Sequence, residues 1–223
     1  VMSLKKTKGE STRSLILDTA LRLFRERGFE ETTMRLIAEE AGVALGNAYY
    51  YFRSKDDLVH AFYTQIQTQQ FEASLGVLAA EQSLKNRLTG AIRAQLTVVA
   101  PYHRMFSSLF KIAADPDNTL NPFGQETREV RERCIQHFRE IVLGSTDRIP
   151  DDLQVELPQL LWMYYMGLVL FWIYDRSPGF VRTYRLLEMT AEIIVQLLGL
   201  ARLPLMVPMR KMVLKSILSL KEI

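Results

Sequence analysis

The sequence has few of the features that mark secreted, membrane-spanning or low-complexity proteins. Cys134 is the one cysteine among 223 residues, so no disulfide can form within the chain and a reducing compartment is favoured. The longest apolar run, residues 160–174, is shorter than the roughly 18–20 residues that cross a bilayer. No apolar stretch follows the basic start. We therefore expect a cytoplasmic protein with neither a secretory signal nor a membrane span.

Evidence for β-strands is also scarce. Apolar residues recur at spacings of three and four along the chain and seldom at two, which favours helices. A hydrophobic content of 48% and a charged content of 24% are typical of a globular protein with a sizeable core. A formal net charge of +3 allows an anionic partner without requiring one. The sequence therefore predicts an all-α fold.

The start of the chain predicts three helices and the beginning of a long fourth one. Gly28 and Gly42 end the first two, because glycine readily adopts the left-handed conformation that follows many helices. A third helix is predicted over about 44–51. Ser54 begins the fourth, with the acidic Asp57 three residues later in the spacing of a capping box, and this helix should run into the low 80s.

Prolines and turn-forming residues divide the rest of the chain into six further helices. These are predicted near residues 84–99, 101–113, 123–143, 152–176, 178–201 and 205–221. Pro158 either kinks or starts the helix that contains it. We predict a three-helix domain over 1–54, whose residues 1–10 form a flexible basic arm, and a larger helical domain over 55–223. The arm either is solvated or lies on an anionic partner.

Residues 34–51 have the pattern of a helix-turn-helix. Ala38 allows the second helix to cross closely, and Gly42 permits a positive φ in the turn between the helices. Ala48 and Phe52, four positions apart with Tyr51 beside them, should face inward. A short helical hairpin without any binding role would show the same spacing.

The outward face of the third helix then carries no charge, which is unusual for a solvated helix and suits a DNA groove. Gly46 permits close approach of the backbone. Asn47 can bond an adenine edge with two hydrogen bonds, and Tyr49 and Tyr50 can bond phosphates or contact thymine methyl groups.

A larger set of residues is in register with one known family. Its members are Leu15, Ala20, Phe24, Gly28, Phe29, Thr32, Thr33, Ile37, Ala38, Ala41, Gly42, Val43, Tyr49, Phe52, Lys55 and Leu58. In these residues the chain closely resembles the N-terminal DNA-binding domain of TetR-family transcriptional regulators. The resemblance covers about the first quarter of the chain. It implies a ligand-responsive repressor that binds a palindromic operator in double-stranded DNA as a homodimer and is released by a mostly apolar small molecule.

The resemblance also implies roles for single residues. Thr33 and Lys55 would hold phosphates from helix N-termini. Base edges would be contacted by Leu45, Gly46, Asn47 and Tyr50, and the sugar-phosphate backbone by Tyr49 and Tyr51. Leu45 departs from the polar residue that is common in the family. Ala44 also departs, because it stands where the family usually has a serine or threonine cap, whose loss costs about 1 kcal/mol.

Aromatic and methionine residues are dense beyond residue 60. They are either core residues or the lining of a pocket for an apolar or amphipathic ligand. Because the ligand pocket of the resembled family lies in this region, the candidates are Phe71, Tyr102, His103, Phe106, Phe110, Trp162, Tyr165 and Met166. His103 and Arg104 could alternatively meet an acidic group of the ligand.

The segment 160–174 is apolar on every side, so protein must cover both of its faces. Similar proteins pair their last two core helices with those of a second copy, which would form a four-helix interface. The candidates for this interface are Phe171, Tyr184, Leu187, Ala191, Ile194 and Leu198. The basic, amphipathic segment 203–223 either lies on a membrane surface or packs as a terminal helix on the core or dimer.

Two other function classes compete with this interpretation. An enzyme has little support, since no phosphate-binding loop or nucleophile motif is present and Cys134, His137 and Glu140 alone make no convincing metal site. We therefore expect no catalytic residues, metal or cofactor. A nonspecific helical DNA-binding protein would share the helix-turn-helix but would have no ligand pocket.

Overall fold

Helices make up all the regular secondary structure in residues 8–219, the part of the chain that the computed structural model describes. The predicted all-α fold is thus confirmed. Contacts divide these residues into two units. Unit 1 contains the residues up to Gln69 together with Val99–Arg131, and unit 2 contains Gln70–Val98 and the residues from Glu132 onward. Lys5 and Lys6 of the predicted basic arm lie outside the described residues, whereas residues 8–10 belong to the first helix.

The described helices follow the predicted order. They are α1 (Lys8–Glu26), α2 (Met34–Glu40), α3 (Leu45–Tyr51), α4 (Lys55–Ala80), α5 (Leu84–Val99), α6 (His103–Ala113), α7 (Arg128–Leu143), α8 (Asp151–Tyr174), α9 (Val181–Leu200) and α10 (Val207–Ser219). Short 3-10 turns precede α6, α9 and α10. Pro158 lies inside α8, which begins at Asp151, so this proline does not start the helix.

α7 begins five residues later than the predicted start at 123. The side-chain oxygen of Asn118 accepts a hydrogen bond from the backbone N–H of Leu120, and that of Asn121 accepts one from Phe123, each at 2.9 Å. Asparagine bonds of this kind hold the backbone in turns and compete with helix formation. The segment before Arg128 therefore remains a series of turns.

Unit 1 is built around the aromatic residues that follow α1 and α3. Gly28 ends α1 in the left-handed region with a φ of 94°, and the ring of Phe29 then packs 5.1 Å from that of Phe24. Phe52, which caps the end of α3, is buried with Ala48. The predicted inward face of α3 is thus the face that packs on the core.

A second aromatic cluster in unit 1 joins the first half of α4 to α6. The ring of Phe62 lies 4.8 Å from that of Tyr102 and 6.1 Å from that of Phe106, and Tyr63 lies beside both phenylalanines. Burial raises the pKa of Tyr63 above its usual range, so its phenol stays neutral. This cluster places α6 with the N-terminal helices.

A single buried arginine ties two helix ends together in unit 2. From α5, the guanidinium of Arg87 donates to the carbonyl oxygens of Leu78 and Glu81 at the end of α4, at 2.5 and 3.0 Å. It also donates to those of Glu140 and Ile141 at the end of α7, at 3.0 and 2.9 Å. The last carbonyls of a helix lack partners within the helix and carry partial negative charge. Arg87 satisfies both ends at once.

Asp175, just after α8, caps the beginning of α9. One carboxylate oxygen accepts hydrogen bonds from the backbone and hydroxyl of Ser177, and the other accepts them from the backbone and hydroxyl of Thr183. Burial opposes ionisation of this carboxyl, but the hydrogen bonds outweigh it and lower the pKa of Asp175 to about 2. Ser177, whose hydroxyl oxygen also accepts from the N–H of Arg182, is therefore part of a larger cap centred on an aspartate.

α8 is long and apolar enough to cross a bilayer by length and composition, and the bent pair α9 and α10 passes the same test if it is counted as one span. Within α8, 44% of the most apolar stretch of 18 residues is buried inside the chain. Core helices of globular proteins also meet this criterion. Length and composition alone therefore do not indicate a membrane protein here.

We predict that Arg87→Met lowers the free energy of unfolding by about 3 kcal/mol or more, because it removes four hydrogen bonds from a charged donor to carbonyls at two helix ends. Chemical denaturation followed by circular dichroism measures this loss. The matched control is Arg148→Met at an exposed loop position, where a change within about 0.5 kcal/mol is expected.

Gly144→Ala supplies an independent variant, because a Cβ at this position would clash with the guanidinium of Arg87. We expect it to destabilise the protein as well. Losses below about 1 kcal/mol in both variants would contradict the role given to Arg87.

Candidate nucleic-acid interface and ligand-binding region

The helix-turn-helix in unit 1 consists of α2, a tight turn and α3. Gly42 occupies the turn with a φ of 65°, in the left-handed region that favours glycine. The N–H of Val43 donates to the carbonyl of Ala38 at 3.0 Å, which closes the end of α2. Thr33 caps the other end of α2, where its hydroxyl oxygen accepts from the N–H of Leu36 at 3.2 Å. The predicted turn geometry is present.

α3 presents an exposed and uncharged surface. Gly46, Asn47 and Tyr49 are exposed, and Tyr50 is the most prominent of these residues with 79% exposure. Leu45 is half-buried. This surface offers amide and phenol hydrogen-bonding groups together with apolar area, which is the chemistry that reads base edges in a major groove.

Tyr51 is half-buried and turns towards α1. Its hydroxyl lies near Gly9, where an added Cβ would be 3.4 Å away, and its ring packs edge-on against that of Tyr50 at 5.1 Å. Of the residues expected at the DNA backbone, Tyr51 is therefore less accessible than Tyr49.

Lys55, at the first turn of α4, already has a partner inside the protein. Its ammonium donates to the carbonyl of Phe29 at 2.8 Å and lies 4.2 Å from the centre of the Phe29 ring. Burial lowers the pKa of Lys55 from its usual value. An ammonium has three N–H donors, and this carbonyl uses one of them.

The start of α4 is capped as the sequence predicts, with one difference. The N–H of Asp57 donates to the hydroxyl oxygen of Ser54 at 3.2 Å. The carboxylate of Asp57 in turn accepts from the N–H of Arg53 at 2.8 Å, one residue before the usual partner in a capping box. Both bonds hold the junction between α3 and α4.

The eight candidates for the ligand pocket fall in both units. Tyr102, His103, Phe106 and Phe110 belong to unit 1, and Phe71, Trp162, Tyr165 and Met166 belong to unit 2. Tyr102 and Phe106 are members of the aromatic cluster around Phe62. Trp162 and Tyr165 are buried in α8.

Phe71 is the one of these eight residues that lines a groove of about 560 Å³ between α4 and α7. The ring of Phe71 stacks on that of His137 at 4.2 Å. The other residues of the groove are Leu75, Glu132, Arg133, Ile135, Gln136, Arg139 and Glu140. Apolar and charged side chains of both signs therefore surround this groove.

Hydrogen bonds fix the protonation of the buried His137. The hydroxyl of Ser74 donates to the carbonyl of Phe71 at 2.7 Å, so its oxygen is left to accept from Nε2–H of His137 at 3.1 Å. Burial lowers the pKa of His137 to about 4 and raises that of Cys134 to about 12, so both are neutral near pH 7. Within residues 8–219, no group of three or more potential ligands that could hold a metal ion is found.

The interface candidates on α9 need revision, because Leu187 and Ala191 are fully buried within the chain itself. Ile194 and Leu198 are half-buried, and Tyr184 is half-buried beneath the guanidinium of Arg93, 4.5 Å from its ring centre. Beyond Val181 at the first position of α9, the exposed apolar side chains of this helix are instead Met189, Ile193, Leu197 and Leu200.

α8 has a comparable exposed apolar stripe, which includes the predicted Phe171. Its other members are Met163, Leu170 and Tyr174, with the exposed Gly167 between them. We call this stripe and the four exposed residues of α9 the α8/α9 apolar face. Spacing alone did not show which side of α9 faces outward, because apolar residues occupy both sides.

A set of buried polar residues in unit 2 was not predicted from the sequence. Gln70 and Ser74 lie one turn apart on α4, and Gln95 lies on α5. The sequence signal for these residues is the presence of neutral polar side chains four positions apart within a long helix. The dense apolar and aromatic residues favoured other positions as candidates for the pocket.

Two family models match the chain. Residues 16–62 match the model described as "Bacterial regulatory proteins, tetR family". Residues 87–214, more than half of the chain, match the model described as "Tetracyclin repressor-like, C-terminal domain". The first match contains the helix-turn-helix, and the second contains most of α5, all of α6 to α9 and most of α10.

Two individual transcriptional regulators are also similar to the chain. The chain is 30% identical to the HTH-type transcriptional repressor KstR2 of Mycolicibacterium smegmatis over 153 residues, which cover 66% of this chain and 72% of that protein. It is 39% identical to the HTH-type transcriptional regulator AcrR of Shigella flexneri over 83 residues, and this match covers 36% of each protein.

A solved structure shares the fold. The crystal structure of Thermus thermophilus FadR, a TetR-family transcriptional repressor in complex with lauroyl-CoA, aligns with a TM-score of 0.55 and 23% identity. The alignment covers 78% of this chain and 92% of that one. Identity at this level shows the fold alone.

The helix α3 begins without a side-chain cap. Ala44 makes no side-chain cap bond in the structure, as its sequence implies. We predict that Ala44→Ser raises the free energy of unfolding by about 1 kcal/mol, because a serine oxygen can accept from an N–H of the first turn. Thermal denaturation followed by circular dichroism measures the gain. Ala73→Ser, at an exposed position within α4, is the matched control and should be neutral or slightly destabilising. No difference between the two variants would contradict the prediction.

Proposed function

Because the chain belongs to the TetR family of transcriptional regulators, we propose that it is a repressor that binds a palindromic operator as a homodimer and is released by a mostly apolar ligand. Its family assigns it a DNA-binding helix-turn-helix and the role of a regulator rather than an enzyme. The observation that carries the proposal is the exposed, uncharged face of α3, held on the core by Ala48 and Phe52. Such a regulator acts in the cytoplasm, where chromosomal DNA lies.

Contacts to bases and contacts to phosphates come from different residues in this proposal. Asn47 and Tyr50 are exposed on α3, with Gly46 and Leu45 beside them, and they contact base edges. Tyr49, with Tyr51 nearer to α1, contacts the sugar-phosphate backbone. Thr33 retains a hydroxyl hydrogen and Lys55 retains two N–H donors for phosphates.

We predict that Asn47→Ala and Lys55→Met lower DNA affinity in different ways. Asn47→Ala should lose about 1–3 kcal/mol on an operator selected from a random duplex library and little on random DNA. Lys55→Met should lose affinity on both duplexes and reduce the slope of log affinity against log salt by about one. Fluorescence anisotropy at several salt concentrations measures both effects, and circular dichroism checks that the variants are folded.

Equal losses on operator and random DNA for Asn47→Ala would contradict the assignment of this residue to bases. An unchanged salt slope for Lys55→Met would show that its ammonium serves only the carbonyl of Phe29. Wild-type protein that binds operator and random duplexes equally would favour a nonspecific DNA-binding protein and overturn the proposed repressor.

A second copy of the chain covers the α8/α9 apolar face in this proposal. Each chain has one recognition helix, so a dimer is needed to contact both halves of a palindrome, about 34–36 Å apart along the duplex. The hydroxyls of Tyr164 and Thr190 bond at 2.5 Å and hold α8 and α9 of one chain together. Two such helix pairs form a four-helix interface.

We predict that Ile193→Asp shifts the protein from dimer to monomer at micromolar concentration, because a carboxylate would be buried in an apolar interface. Analytical ultracentrifugation measures the distribution. The matched control, Leu15→Asp, changes an apolar side chain of similar exposure on α1 and should remain a dimer. A wild-type monomer, or a dimeric Ile193→Asp variant, would contradict this interface.

The proposed ligand carries a long apolar chain, as the acyl group of lauroyl-CoA in the related structure does. α4 begins with Lys55 in unit 1 and continues into unit 2, where it carries Gln70 and Phe71. A ligand that shifts α4 in unit 2 would therefore act on the helix that begins at the candidate DNA interface. Coupling of about 1–3 kcal/mol is usual, and operator DNA must weaken ligand binding by the same factor.

A further inference from the structure

The interior of unit 2 contains buried polar groups on three of its helices. Gln70 on α4 and Tyr165 on α8 are both buried, and the side-chain N–H of Gln70 donates to the phenol oxygen of Tyr165 at 3.2 Å. The same amide donates to the backbone carbonyl of Gln95 on α5 at 3.3 Å. Three helices therefore meet at a small polar cluster, which we call the Gln70/Gln95/Tyr165 cluster.

One donor of this cluster has no acceptor. Gln95 is 1% exposed, and its side-chain nitrogen Nε2 meets no hydrogen-bond partner among the described residues. An amide donor that is buried without a partner destabilises a fold, so native proteins rarely keep one. A leucine or methionine would fill the same position without this cost. The orphaned donor therefore points to an acceptor that arrives from outside the chain.

The two residues that lie beside Tyr165, Cys134 and Phe138, carry no charge. Burial raises the pKa of Tyr165 above its usual range, and the neighbouring Cys134 is also neutral. The ring of Phe138 lies 5.8 Å from that of Tyr165. An isolated carboxylate in such surroundings would have no cation to compensate its lost hydration, whereas a neutral carbonyl oxygen needs only a donor.

We propose that Gln95 donates a hydrogen bond to a neutral carbonyl oxygen of the ligand, which is therefore an apolar molecule with a thioester, ester or ketone group. This inference rests on the proposed ligand-responsive function and narrows its ligand class. The apolar side chains beside the cluster hold the hydrocarbon part, and Gln70 and Tyr165 keep the helices that frame the carbonyl in position.

The test compares two ligands that differ only in the carbonyl group. Lauroyl-CoA has a thioester carbonyl, and S-dodecyl-CoA is the thioether without it. Binding of each is measured by titration calorimetry to the wild-type protein, to Gln95→Met and to Gln82→Met. Gln82 is an exposed glutamine in unit 2 and serves as the matched control.

We expect the wild-type protein and Gln82→Met to bind lauroyl-CoA about tenfold more tightly than the thioether. Gln95→Met should bind the two compounds equally. The Tm of Gln95→Met without ligand should equal or exceed that of the wild-type protein, because methionine fills the position and removes the orphaned donor. Methyl dodecanoate should bind at least tenfold more tightly than dodecanoate at pH 7.

Each contrary result has a distinct meaning. A carbonyl preference that persists in Gln95→Met overturns the role of Gln95 and leaves the acyl ligand intact. A lower Tm for this variant together with an unchanged preference shows that Gln95 is bonded to a buried water, which also overturns it. If neither CoA compound binds, the acyl ligand and the role of Gln95 are both overturned, while operator binding still tests the repressor separately.

Discussion

The packing of unit 2 depends on one guanidinium group. Arg87 on α5 satisfies carbonyl groups at the ends of both α4 and α7, so the positions of three helices are set by a rigid, planar donor. Gly144 leaves the space that this guanidinium occupies. Since α4 and α7 also carry Ser74 and His137, the same tie positions a hydrogen bond between two buried polar residues.

Three cations of unit 1 contact aromatic rings within the fold. Arg13 lies over the ring of Phe52, Arg25 over that of Tyr102, and Lys55 over that of Phe29, at 4.8, 5.3 and 4.2 Å from the ring centres. Such contacts hold helices together by attraction between a cation and an aromatic face. The number of basic residues in the sequence therefore overstates how many are wholly available to phosphates, and in the proposed function the neutral surface of α3 reads the base sequence.

Unit 2 combines the hydrogen bonds of Arg87, which hold helix ends together, with buried polar groups in its interior. Buried polar groups such as the side-chain amide of Gln95 make the interior less stable than an apolar one would be. In the proposed function this favours regulation, because a ligand that bonds such a group gains more than it would from an already satisfied one. The hydrogen bonds of Arg87 and of the cap at Asp175 hold the surrounding helices in place.

The sequence by itself determined the helix order, the turn at Gly42, the inward Ala48 and Phe52, and the missing cap at Ala44, because these follow from local spacing and backbone preference. Only the tertiary structure decided which side of α9 is exposed, because apolar residues occupy both sides of that helix and packing selects one. The partners of Arg87 on α7, and those of Gln70 on α5 and α8, were likewise hidden, since these helices are distant in sequence. Local rules predict helices and caps, whereas contacts between distant segments depend on how all the helices pack together.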